Sequence, residues 1–331
     1  MIKLINCNNK NYINSLRKFL EKRRNLDSPN SKKVLKIIRD IKNKKYKALL
    51  KYEKKYSSNS KIIPTKNEIN KAIKSLDPSV KKSIDFAYNR IIKFHFEQKK
   101  NLKNIVYTDK YKNKIQYKIV PIRSVGIYVP GNLPSTLLMN AIPAKLANVK
   151  RLVLATPKIN KKMNPAILYA AKKVGIDKIF CMGGAQAIAS LAFIQKVDKI
   201  VGPGNQFVAE AKRQLSGKIV GTEAMFAGPS EICILADKKT KINQITTSLV
   251  SQAEHDTESQ CILVTKDKNI IPKVKLGIAK ILKSLPTRNV AIKSLKKNGL
   301  IINVKNDRQV VDVINLISPE HLELNIKNYK K

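Results

Sequence analysis

From Pro121 onward, short apolar runs alternate with segments of helical spacing, and this alternation restricts the fold more than any other feature. The runs "SVGIYVP", "RLVLATP", "KIFCM" and "DKIVGPG" are separated by "TLLMNAIPAKLANV", "MNPAILYAAKKVG" and "AQAIASLAF". Strand, helix, strand at this pitch predicts a parallel sheet with crossover helices, because parallel strands can only be joined by a connection that crosses a sheet face. A second set follows: "EICILAD", "KINQITTSLVSQAEH", "QCILVT", a helix near 272–284, and "GLIINV". The expected class is α/β, with two Rossmann-like parallel-sheet domains, one inserted in the other, and a helical N-terminal segment. The simplest partition makes 122–231 the inserted domain and assigns 1–121 and 232–331 to a discontinuous first domain.

Within the first 100 residues the stretch "SVKKSIDFAYNRIIKFHFEQKK" repeats Ile84, Ala87, Ile91 and Phe94 at helical spacing. His95 beside that stripe reads as structural. No apolar run is long enough to cross a bilayer, and "MIKLINCNNKNYINSLRKFL" lacks the pattern of a secretory signal. The expectation is a cytoplasmic protein without a membrane partner.

The formal charge of +43 would by itself suggest nucleic acid. Lysine, however, is spread through the chain together with Asn and Ile, Trp is absent, and no RNA-recognition or zinc-finger pattern occurs. We therefore expect no specific nucleic-acid partner. A non-catalytic basic α/β protein that binds RNA or acidic partners is the alternative, and it would gather its Lys and Arg on one face. Cys7, Cys181, Cys233 and Cys261 are far apart without a CxxC pair, which predicts buried thiols and neither a disulfide framework nor a zinc ribbon. A thiol-dependent aldehyde dehydrogenase would need one of them exposed and activated.

Four polar or glycine-rich clusters follow strands: "YVPGNLPST", "MGGAQA", "VGPGNQF" and "AGPSE". Ligands gather at such places in open parallel sheets, although none of these is a GxGxxG fingerprint or a P-loop. The segment "SQAEH" is sharper. Ile242, Ile245 and Leu249 form an apolar stripe whose next member is Gln252, with His255 one turn further on the same face. A buried glutamine needs polar partners, which a metal or a bound ligand would supply; a satisfied helix end is the other reading. In "ISPEHLEL", Ser318 and Pro319 suit an N-cap and first helical position, which places Glu320 and His321 side by side at a strand–helix junction. A carboxylate beside an imidazole offers water activation and proton acceptance; a capped surface helix is the alternative.

In this order, "LMNAIPAKLA", "GGAQAIASLAF", "VDKIVGPGNQFVAEAKRQ", "AGPSEICILAD", "SQAEHDTESQ" and "PEHL" resemble the histidinol dehydrogenase family over most of the chain from about residue 30. The resemblance implies oxidation of L-histidinol to L-histidine in successive NAD-dependent steps, in histidine biosynthesis, by a homodimer with zinc in its site. It further implies that Gln252 and His255 are zinc ligands that also touch substrate, and that Glu320 and His321 are the catalytic pair, His321 contacting substrate as well. Ser230 is implied as a substrate contact, and Tyr128, Gln186 and Asn205 as NAD contacts. In the family an aspartate and a histidine beyond "PEHL" complete the metal sphere, whereas this sequence has no histidine after His321 and no acidic residue after Glu323. Ala224 stands where an aspartate is usual. The expectation is a C-terminally truncated member with an incomplete zinc set and impaired activity.

Overall fold

The structure, a computed structural model, describes residues 2–9, 11–24, 30–223 and 230–327. It divides into two compact units, Met1–Leu26 with Ala227–Lys331, and Asp27–Phe226. Among the described residues the strands in chain order are β1 (Lys3–Asn6), β2 (Ile105–Thr108), β3 (Lys114–Tyr117), β4 (Ser124–Tyr128), β5 (Arg151–Ala155), β6 (Lys178–Phe180), β7 (Lys199–Val201), β8 (Gly221–Thr222), β9 (Glu231–Ala236), β10 (Gln260–Thr265), β11 (Gly299–Asn303) and β12 (Leu322–Asn325).

The discontinuous unit holds a five-stranded sheet in the order β1-β11-β10-β9-β12, every pairing parallel. Its central strand β10 is buried along its whole length, which is why "QCILVT" is a nearly unbroken apolar run. Side chains alternate between two cores. Cys261 and Leu263 meet the helices Ile242–Ala253, Ile270–Ser284 and Arg288–Asn298, while Ile262 and Val264 meet Tyr12–Arg24 and Asp307–Ile317. Full burial of such a side chain contributes roughly 1.5–3 kcal/mol.

The other unit carries a second all-parallel sheet, β6-β5-β4-β7-β8. The chain winds outward from β4 to β6, then returns to add β7 on the other side, so strand order reverses between β4 and β7. In such sheets a ligand crevice opens at that reversal, beyond the carboxyl ends of the strands. The two-sheet parallel α/β class expected from the alternation is the one observed.

The boundaries differ from the expected partition. Residues 27–121 belong with the inserted unit, not with the discontinuous one. The reason lies in the apolar stripes: Val34, Ile37, Ile41, Leu49 and Tyr52 of the helix Ser31–Ser57 share a core with Ile188 and Leu191, and Ile84 shares one with Leu138 and Ile142. The stripe of the helix Pro78–Lys100 is also shorter than its spacing suggests, since Phe94 is exposed. Two elements have no counterpart in the expectation. Strand β1 adds to the edge of the first sheet beside β11, and β2 and β3 form an antiparallel hairpin.

The turn "VGPGNQF" after β7 depends on Gly202. Its φ is +107°, and a Cβ there would stand 2.0 Å from the carbonyl oxygen of Tyr128. Any side chain meets both strain and a backbone clash. Gly202→Ala should destabilise the protein by about 2 kcal/mol or more, read as a lowered urea midpoint at unchanged slope.

Candidate functional site

The sharpest sequence signals all belong to the discontinuous unit, and its topology places them at one edge of the sheet. Ser230 immediately precedes β9 and Glu231 opens it, Glu320 and His321 immediately precede β12, and β9 and β12 are neighbours. The helix Ile242–Ala253 runs back from the end of β9 to the start of β10, so its last turn, with Gln252 and His255 just beyond, arrives at the same amino-terminal edge. This is the edge opposite to the one at which ligands usually bind in parallel sheets.

Hydrogen bonds tie the edge together. The amide of Gln260 donates to the carbonyl of Ser230 at 3.0 Å, and that of Cys233 to the carbonyl of His321 at 2.9 Å. The amide of Glu320 donates to Glu231 Oε1 at 2.9 Å. His321 Nδ1 lies 3.1 Å from the carbonyl oxygen of Glu231, and a carbonyl can only accept. Nδ1 therefore carries the hydrogen in the neutral ring, which leaves Nε2 with its lone pair. The carboxylate of Glu320 is 3.9 Å from Nδ1, beyond hydrogen-bond distance, and both side chains are more than half exposed. One residue before the Leu322–Cys233 pair, His321 stands opposite Ile232, whose side chain packs into the core beneath the helix Ile242–Ala253. Glu231, which organises this pair through both its carboxylate and its carbonyl, escaped the sequence reading. Its position two strands of sequence away from Glu320 carries no local signal.

Near "ISPEHLEL" the expected short helix is absent. Ser318 instead terminates the helix Asp307–Ile317 in the left-handed conformation (φ 47°), and Pro319 cannot continue it. The following residues enter β12, because the seat beside β9 provides a ladder of backbone partners for them.

Gln252 occupies the last turn of its helix, partly buried, above Ile245, Leu249 and Ala253. His255 lies beyond the helix end, exposed, and its amide donates to the carbonyl of Gln252 at 3.3 Å. The pair is thus joined by a terminal turn and not by continuous helical spacing. Asp256 then redirects the chain: its Oδ1 accepts from the amide of Glu258 at 2.8 Å. The turn is anchored on both sides, by Thr287 Oγ1 to Glu254 at 2.5 Å and by Lys297 Nζ to Glu258 at 2.7 Å.

The Nε2 atom of Gln252 is buried without a hydrogen-bond partner. An unpaired buried amide N–H has capacity left for a hydrogen-bond acceptor on a ligand, while an imidazole and an amide oxygen are donor types that zinc accepts. Among the described residues no group of three or more His, Cys, Asp or Glu could hold a metal. Gln252 and His255 supply donor types that zinc accepts, and the described residues do not furnish a complete sphere. Ala224 lies outside the described residues.

The expected NAD contacts sit in the other unit, each at the carboxyl edge of its sheet. Tyr128 ends β4, Gln186 lies in the first turn of the helix Gly184–Phe193 after β6, and Asn205 caps the helix Gln206–Leu215 after β7. Tyr128 and Asn205 therefore flank the reversal of strand order. The phenol of Tyr128 is buried, which raises its pKa, and accepts from the amide of Gly184 at 3.3 Å. Asn205 Oδ1 accepts from the amides of Phe207 and Val208, at 3.1 and 3.2 Å. Beneath the turn, Lys212 is buried with its ammonium on the carbonyl of Gly202 and on Glu223 Oε1 at 2.6 Å. Burial lowers its pKa, against the pull of Glu223.

All four cysteines are buried, and none is in a disulfide. Burial pushes the Cys233 thiol up to about 12 and those of Cys7 and Cys181 to about 11. These are not activated nucleophiles. His95 is held by Gln98, at 2.6 Å, on an exposed helix face. Among the described residues no helix is long and apolar enough to cross a membrane.

Comparison with known proteins agrees with the motif order. The family profile for histidinol dehydrogenase matches residues 20–331. The histidinol dehydrogenase of Pelagibacter ubique (strain HTCC1062) is 52% identical, over 100% of this chain and 78% of that protein. That of Hydrogenovibrio crunogenus (strain DSM 25203 / XCL-2) is 38% identical, over 89% and 70%. The crystal structure of histidinol dehydrogenase from Elizabethkingia anophelis aligns with a TM-score of 0.87 at 33% identity, covering 99% of this chain and 77% of that one. Sequence motifs, twin parallel sheets and near-complete alignment together place this chain in the histidinol dehydrogenase family.

Proposed function

We propose that this chain oxidises L-histidinol to L-histidine with NAD, as a cytoplasmic enzyme of histidine biosynthesis. The observation that carries the reading is the arrangement at the amino-terminal edge of the sheet: an imidazole whose Nδ1–H is committed to the Glu231 carbonyl, beside a solvent-facing carboxylate. With Nδ1 committed, Nε2 of His321 is the base that removes the proton from the alcohol and then from the hydrated aldehyde. Glu320 activates the water that adds to the aldehyde, its main chain fixed by the Glu231 carboxylate. Ser230, whose carbonyl is engaged by Gln260, offers its hydroxyl to the substrate.

NAD, when bound, supplies the hydride acceptor. Tyr128, Gln186 and Asn205 would hold it at the strand ends of the other sheet. Zinc, held by Gln252 and His255, would anchor and polarise the substrate. The homodimer implied by the family resemblance is supported by the hairpin β2–β3, whose Ile105, Val106, Tyr107, Ile115 and Tyr117 are all exposed. A lone two-stranded hairpin is marginal in water, and a second subunit would cover it.

The test is NADH absorbance after mixing the purified chain with L-histidinol, NAD and zinc. The reading expects NADH and L-histidine together. Tight binding of L-histidinol with no NADH at any zinc concentration would contradict it.

A further inference from the structure

One buried acid is not used by any step above. Glu53, near the end of the helix Ser31–Ser57, is fully buried, although a carboxylate is among the side chains least often found inside a protein without partners. Its partners lie about 130 residues away in the sequence: Oε1 accepts from the amide of Gly183 and from Gln186 Nε2, both at 2.9 Å. Burial raises its pKa, and donors from Gly183, Gln186, Ser57 and Asn59 pull it back. The neighbouring residues grip the same strand end. Asn59 Nδ2 donates to the carbonyl of Cys181 at 2.7 Å, and the amide of Cys181 donates to the carbonyl of Ile62 at 2.7 Å.

A carboxylate only accepts, so it turns the amide nitrogen of Gln186 toward itself and the oxygen away, on a side chain that is itself only 3% exposed. That oxygen lies over Gly184, where an added Cβ would stand 2.9 Å from it. The carboxylate also takes the position at the start of the helix Gly184–Phe193 that an anionic ligand group would otherwise favour.

We propose that Glu53 is a positioning residue for the cofactor: by holding Gln186 Nε2 and the Gly183 amide it sets the glycine turn after β6 and makes Gln186 a hydrogen-bond acceptor toward NAD. This rests on the reading of Gln186 as an NAD contact. The ligand group it recognises is a donor, a ribose hydroxyl or the carboxamide N–H, and not a phosphate.

The experiment is a double-mutant cycle read by NADH fluorescence titration on the full-length chain, with Glu53→Ala, Gln186→Ala, both together, and Glu53→Gln. Glu53→Ala should weaken NADH binding about tenfold, and by less than about twofold once Gln186 is already absent. Glu53→Gln keeps an acceptor oxygen and should stay within about threefold of the unaltered chain. Equal losses in both backgrounds, or no loss in either, would overturn the proposal, since general damage to the fold is additive. Hydrogen exchange at residues 183–187 provides a second readout: Glu53→Ala should raise it while the sheet of the discontinuous unit is unaffected, and unchanged exchange counts against Glu53. If the unaltered chain binds no NADH, the cofactor reading itself fails, and exchange then decides alone whether Glu53 holds the turn.

Discussion

His321→Asn should lower the rate of NADH formation from L-histidinol by about 10²–10⁴-fold, the range associated with loss of a positioned general base. The substitution is chosen for what it preserves. An asparagine amide can still donate to the carbonyl of Glu231, as Nδ1 does at 3.1 Å, but it has no counterpart to the Nε2 lone pair. Folding should therefore survive, because the side chain is more than half exposed and contributes little packing. Glu320→Gln separates the two halves of the reaction. Its backbone bond to Glu231 Oε1 is unaffected, so the alcohol step should proceed while the aldehyde step slows, and aldehyde should be trapped by semicarbazide. If both substitutions leave the rate of histidine formation within a factor of about three, the edge of the sheet is not where proton transfer occurs.

Zinc gives the second large effect. A lasting zinc site takes roughly three or four protein ligands, and the described residues bring Gln252 and His255 without a further cluster. The purified chain should retain only a small fraction of an equivalent of zinc after dialysis, measured by atomic emission. Added zinc should bind weakly and be displaced by chelators, since affinity rests on few deprotonated donors. His255→Ala should reduce that residual affinity by about tenfold or more, whereas His95→Ala, on the exposed face of the helix Pro78–Lys100, should leave it unchanged. Stoichiometric zinc that survives dialysis would show that the sphere is complete, and would require donors outside the pair.

Much of this architecture is legible in periodicity, and the failures are instructive. Parallel sheets buried on both faces leave continuous apolar runs such as "QCILVT", so the strands and their crossover helices could be read directly. An amphipathic stripe says that a helix packs, not against what. The helices of residues 31–100 pack with the inserted unit and not with the discontinuous one, with Ile84 of the expected stripe inside. The pair Ser318–Pro319 fits both the start and the end of a helix. What decided between them was the free edge of β9, supplied by residues about 85 positions earlier.

The candidate site was legible as residue types and only partly as geometry. Gln252 stood out because it interrupts an apolar stripe, and its buried, unpaired amide nitrogen agrees with that signal. His255 was expected on the same helical face, yet the helix stops at Ala253 and a turn presents the imidazole instead. The tautomer of His321 is invisible in sequence, because a main-chain carbonyl from β9 sets it. Glu53 was hidden for the same reason: its helix reads as an ordinary basic amphipathic segment, and its partners sit beyond β6.

Catalysis by this chain requires that side chains from separate elements serve one substrate at the amino-terminal edge of the sheet. The chain has only three histidines, so nitrogen-15 imidazole spectra during an L-histidinol titration address this directly. The ring signals of His255 and His321 should move together with a single midpoint, while His95 stays fixed. Movement of one of the two without the other, or of His95 with them, would contradict it.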